Sequence, residues 1–239
     1  MAKARENKAE QGPIDKAPGR AAAAAQARRH RIAGAVIDIL ALEGARGLTH
    51  RRIDSHLGLP EGATSYHFPR RFDLLEAGFI RLFEDGVEEF RRCYRPVLER
   101  LEAGDALDVE LAAACAFKHW KLLTRPASRD QIIARLEFYL LATHDPNLRA
   151  VQQDRRKDHF DLTTQIFTEL GCRNPKRASG EFSARVQSDY VTRFIAPPFE
   201  ERPRTEAYFA TLIRQIIEES DSTRGDREIP VDRVLLLAT

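Results

Sequence analysis

Apolar residues in this chain recur at steps of three and four, the spacing that lines them up on one face of an α-helix. The stretch 21–44 opens with a run of alanines of high helix propensity and continues with Ile32, Val36, Ile39 and Leu40 as a buried stripe. A second long stripe, Leu75, Phe79, Leu82, Phe83 and Val87, predicts a linking helix from 74 to about 101, with bends at Gly86 and Pro96. Helices follow over 106–123 and 129–143. The latter carries Ile132, Ile133, Leu136, Phe138, Tyr139, Leu140 and Leu141, apolar nearly all round, as in a helix at the middle of a domain. Asp145-Pro146 ends it, and a helix over 147–170 runs to Gly171. Phe182, Val186, Tyr190 and Phe194 mark a helix over 181–195, stopped by Pro197-Pro198. Phe209, Leu212, Ile213, Ile216 and Ile217 mark a last one over 204–219. With no βαβ alternation and no repeat, the expected fold is all-α.

The segment 48–75 breaks this rhythm. Thr49 stands where a helix N-cap belongs, ahead of His50, Arg51, Arg52 and Ile53. Ile53 and Leu57 share a face, and Gly58 offers the left-handed backbone that ends a helix. Pro60 suits the first turn of a second short helix, expected from about 60 to 68. That helix presents Gly62, Ala63, Thr64, Ser65 and His67, flanked by Arg51, Arg52, Arg70 and Arg71. Small and polar groups on a short helix amid arginines suit a DNA major groove.

Charge sharpens the reading. Residues 1–71 hold 13 Lys+Arg against 7 Asp+Glu, a balance of +6, and residues 72–239 hold 25 against 29, a balance of −4. The basic excess therefore sits with the two-helix motif, as phosphate neutralisation requires. Residues 1–20 are polar, and eight Lys/Arg precede Ile32. Either this arm touches DNA phosphates or a minor groove, or it is a disordered, solubilising tail.

The order of these residues resembles the tetracycline-repressor-like (TetR) family of transcription regulators. It runs Gly44-Ala45-Arg46-Gly47-Leu48-Thr49-His50-Arg51-Arg52-Ile53, then Leu57-Gly58-Leu59, then Gly62 through Leu75 with Tyr66-His67-Phe68-Pro69. The likeness covers roughly 27–80, about a quarter of the chain. It implies an N-terminal three-helix DNA-binding domain over 21–73, a larger helical ligand-binding and dimerisation domain over 74–219, and a tail over 220–239. By resemblance the second short helix is the recognition helix. Thr49, Tyr66 and Arg71 then contact phosphates, and Gly62, Ala63, Thr64, Ser65 and His67 lie at or near base edges. Two positions depart from the family: Asp54 stands where Ala is usual, and Thr64 where a large apolar residue is common. A buried carboxylate at 54 needs a partner, and free N–H groups near Glu61 and Gly62 are the expected one.

The resemblance also implies a homodimer on double-stranded DNA, made through the last two helices by Phe182, Val186, Tyr190, Phe194, Phe209, Leu212, Ile213 and Ile216, and a repressor released by a small-molecule effector. Two such helices from each subunit can bury their faces as a four-helix bundle; alternatively they pack only within their own subunit. The middle helices mix aromatic and polar groups, and Phe83, Phe117, His119, Trp120, Arg135, Phe138, Tyr139 and Phe167 are the candidate effector-pocket residues. Arg135, set among apolar neighbours, either pairs with Glu137 or another acid, or faces a cavity suited to an anion. Cys115 and His119 share a helical face, but two ligands do not close a metal site, and only a particular fold adds His144 or His159. No cofactor or catalytic motif stands out. Three scattered cysteines, no apolar run of membrane-spanning length and no signal-peptide core suit a cytoplasmic protein. The rival class is a helical small-molecule or metal-binding module whose helix-turn-helix is a packing element only.

Overall fold

The computed structural model describes residues 19–195 and 203–222. Among them lie ten α-helices and one short 3-10 turn, Pro126–Ser128, with no strand. Most of the N-terminal arm, the Pro197-Pro198 stop and the apolar run at 231–237 lie outside the described residues.

Helix α1, Arg20–Gly47, buries only its second half, from Ile32 through Leu40. It is longer than its hydrophobic stripe predicts and kinks at Gly44, whose φ is 66°. Helices α2, His50–Leu57, and α3, Ala63–His67, form the two-helix motif. Thr49 caps α2 as expected, its Oγ1 accepting from Arg52 N at 3.1 Å. The second helix is shorter than predicted, since Gly62 at φ 88° is its N-cap and Pro60 falls in the preceding turn. A left-handed residue cannot continue a right-handed helix.

Helix α4, Arg71–Cys93, passes Gly86 unbroken. The break comes at Tyr94, just ahead of Pro96 in the first turn of α5, Arg95–Ala103. Next are α6, Val109–Leu123, capped by Asp108, and α7, Arg129–His144. In α7 Ile132, Ala134, Phe138 and Ala142 are buried, but Leu140 is 62% exposed, so the expectation of a helix buried all round is corrected. Helix α8, Pro146–Glu169, is capped by Asp145, which accepts from Asn147 N at 2.9 Å. Helices α9, Pro175–Ile195, and α10, Glu206–Ser222, complete the set.

The helices enclose two cores. One joins α1 and the α2–α3 motif to the first half of α4, the second half of α7 and the start of α8, around Phe68, Phe79 and Phe138. The other joins the end of α4 to α5, α6, α8, α9 and α10, around Phe90, Trp120, Phe167 and Phe209. The N-terminal motif is thus not closed by its own residues: Ala134, Phe138, Ala142 and Leu148 complete its core. At Gly78 a Cβ would stand 2.5 Å from Val36 Cγ1 and 3.2 Å from Phe138 Cζ, so α4 needs glycine to meet α1 this closely.

Candidate nucleic-acid interface and ligand site

The two departures from the family pattern prove to be one interaction. The Asp54 carboxylate is buried beneath the turn and accepts three hydrogen bonds: from Gly62 N at 2.8 Å, Thr64 N at 2.9 Å and Thr64 Oγ1 at 2.5 Å. Burial alone would raise its pKa, but the Thr64 hydroxyl and then the two backbone N–H groups hold it below the ordinary carboxylate value. The expected acceptor role toward Gly62 holds, and Thr64 is the further donor. Thr64 is therefore removed from the groove-facing set. Its side chain is fully buried and its hydroxyl is engaged inside the protein, so it cannot reach a base edge.

What α3 leaves outward is Gly62, Ser65 and Tyr66, the last 84% exposed; Ala63 and His67 are half-buried. Its ring meets His67 edge-on at 5.2 Å and otherwise stands out in solvent. Thr49, Arg51 and Arg71 are exposed nearby. Arg71 Nη2 donates to Ala45 O at 2.5 Å, and half-buried Arg52 pairs with Glu43 at 2.6 Å, so both guanidiniums are held on the motif's own surface. Arg29 was not in the predicted set. Its guanidinium lies 4.1 Å over the Phe68 ring and donates to His67 O at 2.5 Å, which puts a cation from α1 against the end of α3. Nothing in local spacing signals this contact, which joins residues 38 apart.

The predicted effector residues do not form one group. Phe83 and Phe138 belong to the N-terminal core, packed on Phe79 with ring centroids at 4.6 Å and 5.0 Å, and Tyr139 packs against that core. Phe117, Trp120 and Phe167 belong to the C-terminal core. Trp120 Nε1 donates to Asp189 Oδ2 at 2.6 Å, and Asp189 also accepts from Arg204 Nε at 3.0 Å. Arg193 lies 4.7 Å over the Trp120 ring. A tryptophan held on its edge and on its face is a structural post, so a single pocket lined by all eight residues is corrected to two separate cores.

Between the cores lies a polar group of side chains: Arg135 of α7, His119 of α6, His159 of α8 and Tyr190 of α9. His119 and His159 both rest edge-on against Phe90, at 5.4 Å and 4.6 Å. Burial first, then the facing His159 and Arg135, push His119 down to about 3. Burial first, then Arg135 and Arg156, push His159 down to about 4. Both imidazoles are neutral at neutral pH. His159 and Tyr190 were not in the predicted ligand set; the polar stripe Gln152, Arg156, His159 on α8 was the available signal. Two open clefts lie elsewhere, one of about 330 Å³ beside Pro96 and Asp105, the other of about 540 Å³ beside Phe72 and Asn147.

Cys115 is buried and His144 exposed, and among the described residues no three His, Cys, Asp or Glu side chains gather as a metal requires. No helix among the described residues is long and apolar enough to cross a membrane. The dimer stripe is also corrected. Phe182, Tyr190, Phe209, Leu212, Ile213 and Ile216 are buried in the single chain, with Val186 and Phe194 half-buried. Each stripe packs inward on α6, α8 and the other helix of the pair, so a partner subunit would meet the opposite faces.

Residues 110–219 match the family described as tetracyclin repressor-like, C-terminal domain. Residues 110–219, a little under half of the chain, are thus similar to the C-terminal domain of the TetR family. The N-terminal two-helix motif lies outside that match. Solved structures share the fold over more than four fifths of this chain. A transcriptional regulator from Rhodococcus sp. Rha1 has TM-score 0.65 at 17% identity, over 82% of this chain and 99% of its own. A regulator from Saccharomonospora viridis in complex with choline has TM-score 0.60 at 16% identity, over 83% and 100%. The multidrug binding protein EbrR, complexed with imidazole, has TM-score 0.55 at 22% identity, over 84% and 98%. No curated protein is similar enough to the chain to count as a relative.

Proposed function

We propose that this protein is a TetR-family, ligand-responsive repressor that binds a pseudo-palindromic operator as a homodimer in the cytoplasm. The observation that carries the reading is the outward face of α3: Gly62, Ser65 and a nearly free Tyr66, on a helix fixed from beneath by Asp54 and flanked by exposed Arg51 and Arg71. A short helix held this rigidly suits base-edge reading, with its arginines on phosphates. Two such helices in one dimer reach successive major grooves roughly 34–36 Å apart.

The route from effector to DNA runs through Ala45, in the kinked last turns of α1 that lead into α2. Glu137 of α7 accepts from Ala45 N at 3.1 Å, while Arg71 at the start of α4 donates to Ala45 O at 2.5 Å. A small molecule seated between α4, α7 and α8 displaces α7 against α4 and so shifts this grip. Solved relatives hold choline and imidazole, which supports small-molecule binding by this architecture. An effector that fits only one arrangement shifts the population toward it.

The test is a mobility shift of the DNA upstream of the protein's own coding sequence. Binding should weaken steeply with salt, and Arg51→Ala should lower the salt slope by about one. If no upstream fragment binds at low salt, the protein is instead a helical ligand-binding module.

A further inference from the structure

The charge of Arg135 is opposed by burial and supported by Tyr190, Tyr139 and, through space, Glu89, but by no ion pair. Among the described residues no carboxylate forms an ion pair with it, and its Nε has no hydrogen-bond partner. Glu137, two residues on, is turned to the Ala45 backbone instead. Glu89, the acid of the neighbourhood, is drawn to Arg125 at 3.8 Å and Arg92 at 3.9 Å. The Arg135 guanidinium lies 5.2 Å over the Phe83 ring, and its Nη2 sits 3.1 Å from where a Cβ on Gly86 would project. Glycine at 86 thus leaves the room that the guanidinium occupies.

The groups around it are also short of acceptors. Gln152, Arg156 and His159 share one face of α8, at positions i, i+4 and i+7. Gln152 Nε2 is buried without a partner, and Arg156 forms no ion pair among the described residues. Neither the His119 nor the His159 ring hydrogen-bonds to the described protein, and each neutral ring offers one N–H. Arg135, His119 and His159 are half-buried, so each retains some exposed surface.

A buried guanidinium stays charged, and an unpaired charge in a protein interior is unfavourable until an anion meets it. We infer that the polar cluster around Arg135, between α4, α7 and α8, binds a small organic carboxylate, its carboxylate paired to Arg135 and its apolar body against Phe83 and Phe90. A cation is repelled by the same two guanidiniums, Arg135 and Arg156. Inorganic phosphate forfeits hydration without covering the two phenyl rings. This rests on the proposed effector reading and names its ligand class.

The probes are phenylacetate, 3-phenylpropionate and 4-phenylbutyrate, each beside its uncharged amide and beside inorganic phosphate, titrated into the full chain by calorimetry and thermal shift. At least one carboxylate should bind saturably and raise Tm, with its amide and phosphate at least tenfold weaker, a loss of about 1.4 kcal/mol or more. Arg135→Met should weaken that carboxylate tenfold to a hundredfold with an unchanged helical spectrum. Gly86→Val, which retains the arginine but crowds Nη2, should weaken it as well. Amides binding as tightly as carboxylates, full affinity in Arg135→Met, or no binding by any of the three carboxylates overturns the inference. DNA binding is read separately: a shifted operator without carboxylate binding sinks only this inference, and carboxylate binding without a shifted operator sinks only the regulator reading.

Discussion

Two ions inside the fold, buried Asp54 under α3 and half-buried Arg135 between the cores, are treated in opposite ways. Asp54 receives three donors from its own chain, so its charge is satisfied and α3 is fixed. Arg135 is left with an orphaned Nε and no ion pair among the described residues. The first arrangement suits a surface that must be rigid before it meets DNA. The second suits a site completed by something from outside. A satisfied buried charge holds a structure in place, and an unsatisfied one makes it responsive to a ligand.

The largest test of this contrast is Asp54→Ala. It orphans the Thr64 hydroxyl and two N–H groups together, and thermal unfolding should show a loss of about 3 kcal/mol. Adding Thr64→Val should recover part of it, because the two positions act as one pair; strictly additive losses would break that assignment.

Acid should act next. The folded values of His119 and His159, about 3 and about 4, lie below 6.5, so below that pH the unfolded chain takes up protons that the folded chain refuses. Stability is fully present well above pH 6.5 and drains toward pH 3, by about 3 kcal/mol between pH 6.5 and pH 5. A flat denaturant midpoint over that range would mean the two rings are not enclosed. Arg135→Met should change the stability of the ligand-free protein little, within about 1 kcal/mol and toward greater stability, because it removes an unpaired buried charge and keeps an apolar stem. A loss beyond about 2 kcal/mol would show that Arg135 is a satisfied structural ion and erase the contrast with Asp54. Smallest of all in stability, Tyr66→Ala should stay within about 0.5 kcal/mol. Operator affinity should nevertheless fall roughly tenfold, since the ring is 84% exposed.

Much of this was legible along the chain. Helix type and most helix positions followed from apolar spacing, because a helix must bury one face and local periodicity records which, but the single linking helix expected over 74–101 is two, broken at Tyr94. The caps at Thr49 and Gly58 were equally local, being matters of one side chain and one backbone angle. The acceptor role of Asp54 was readable because its partners are within ten residues. The short start of α3 was missed because Pro60 is compatible with both a turn and a helix N-terminus, and Gly62 settled the matter three-dimensionally. The effector list and the dimer stripe fared worse. An apolar stripe says that a face is covered and is silent on which helix covers it, so Phe209 and Ile216 read alike whether a partner subunit or α6 buries them.

The amino-acid sequence by itself determined an all-α chain with a basic helix-turn-helix end, since periodicity, capping and charge are properties of neighbours in sequence. Only the tertiary structure decided that Thr64 faces inward to Asp54, that Trp120 is a post held by Asp189, and that Arg135 has no ion pair among the described residues. Each of those depends on which distant side chain supplies or withholds a partner, and that is settled when the helices pack.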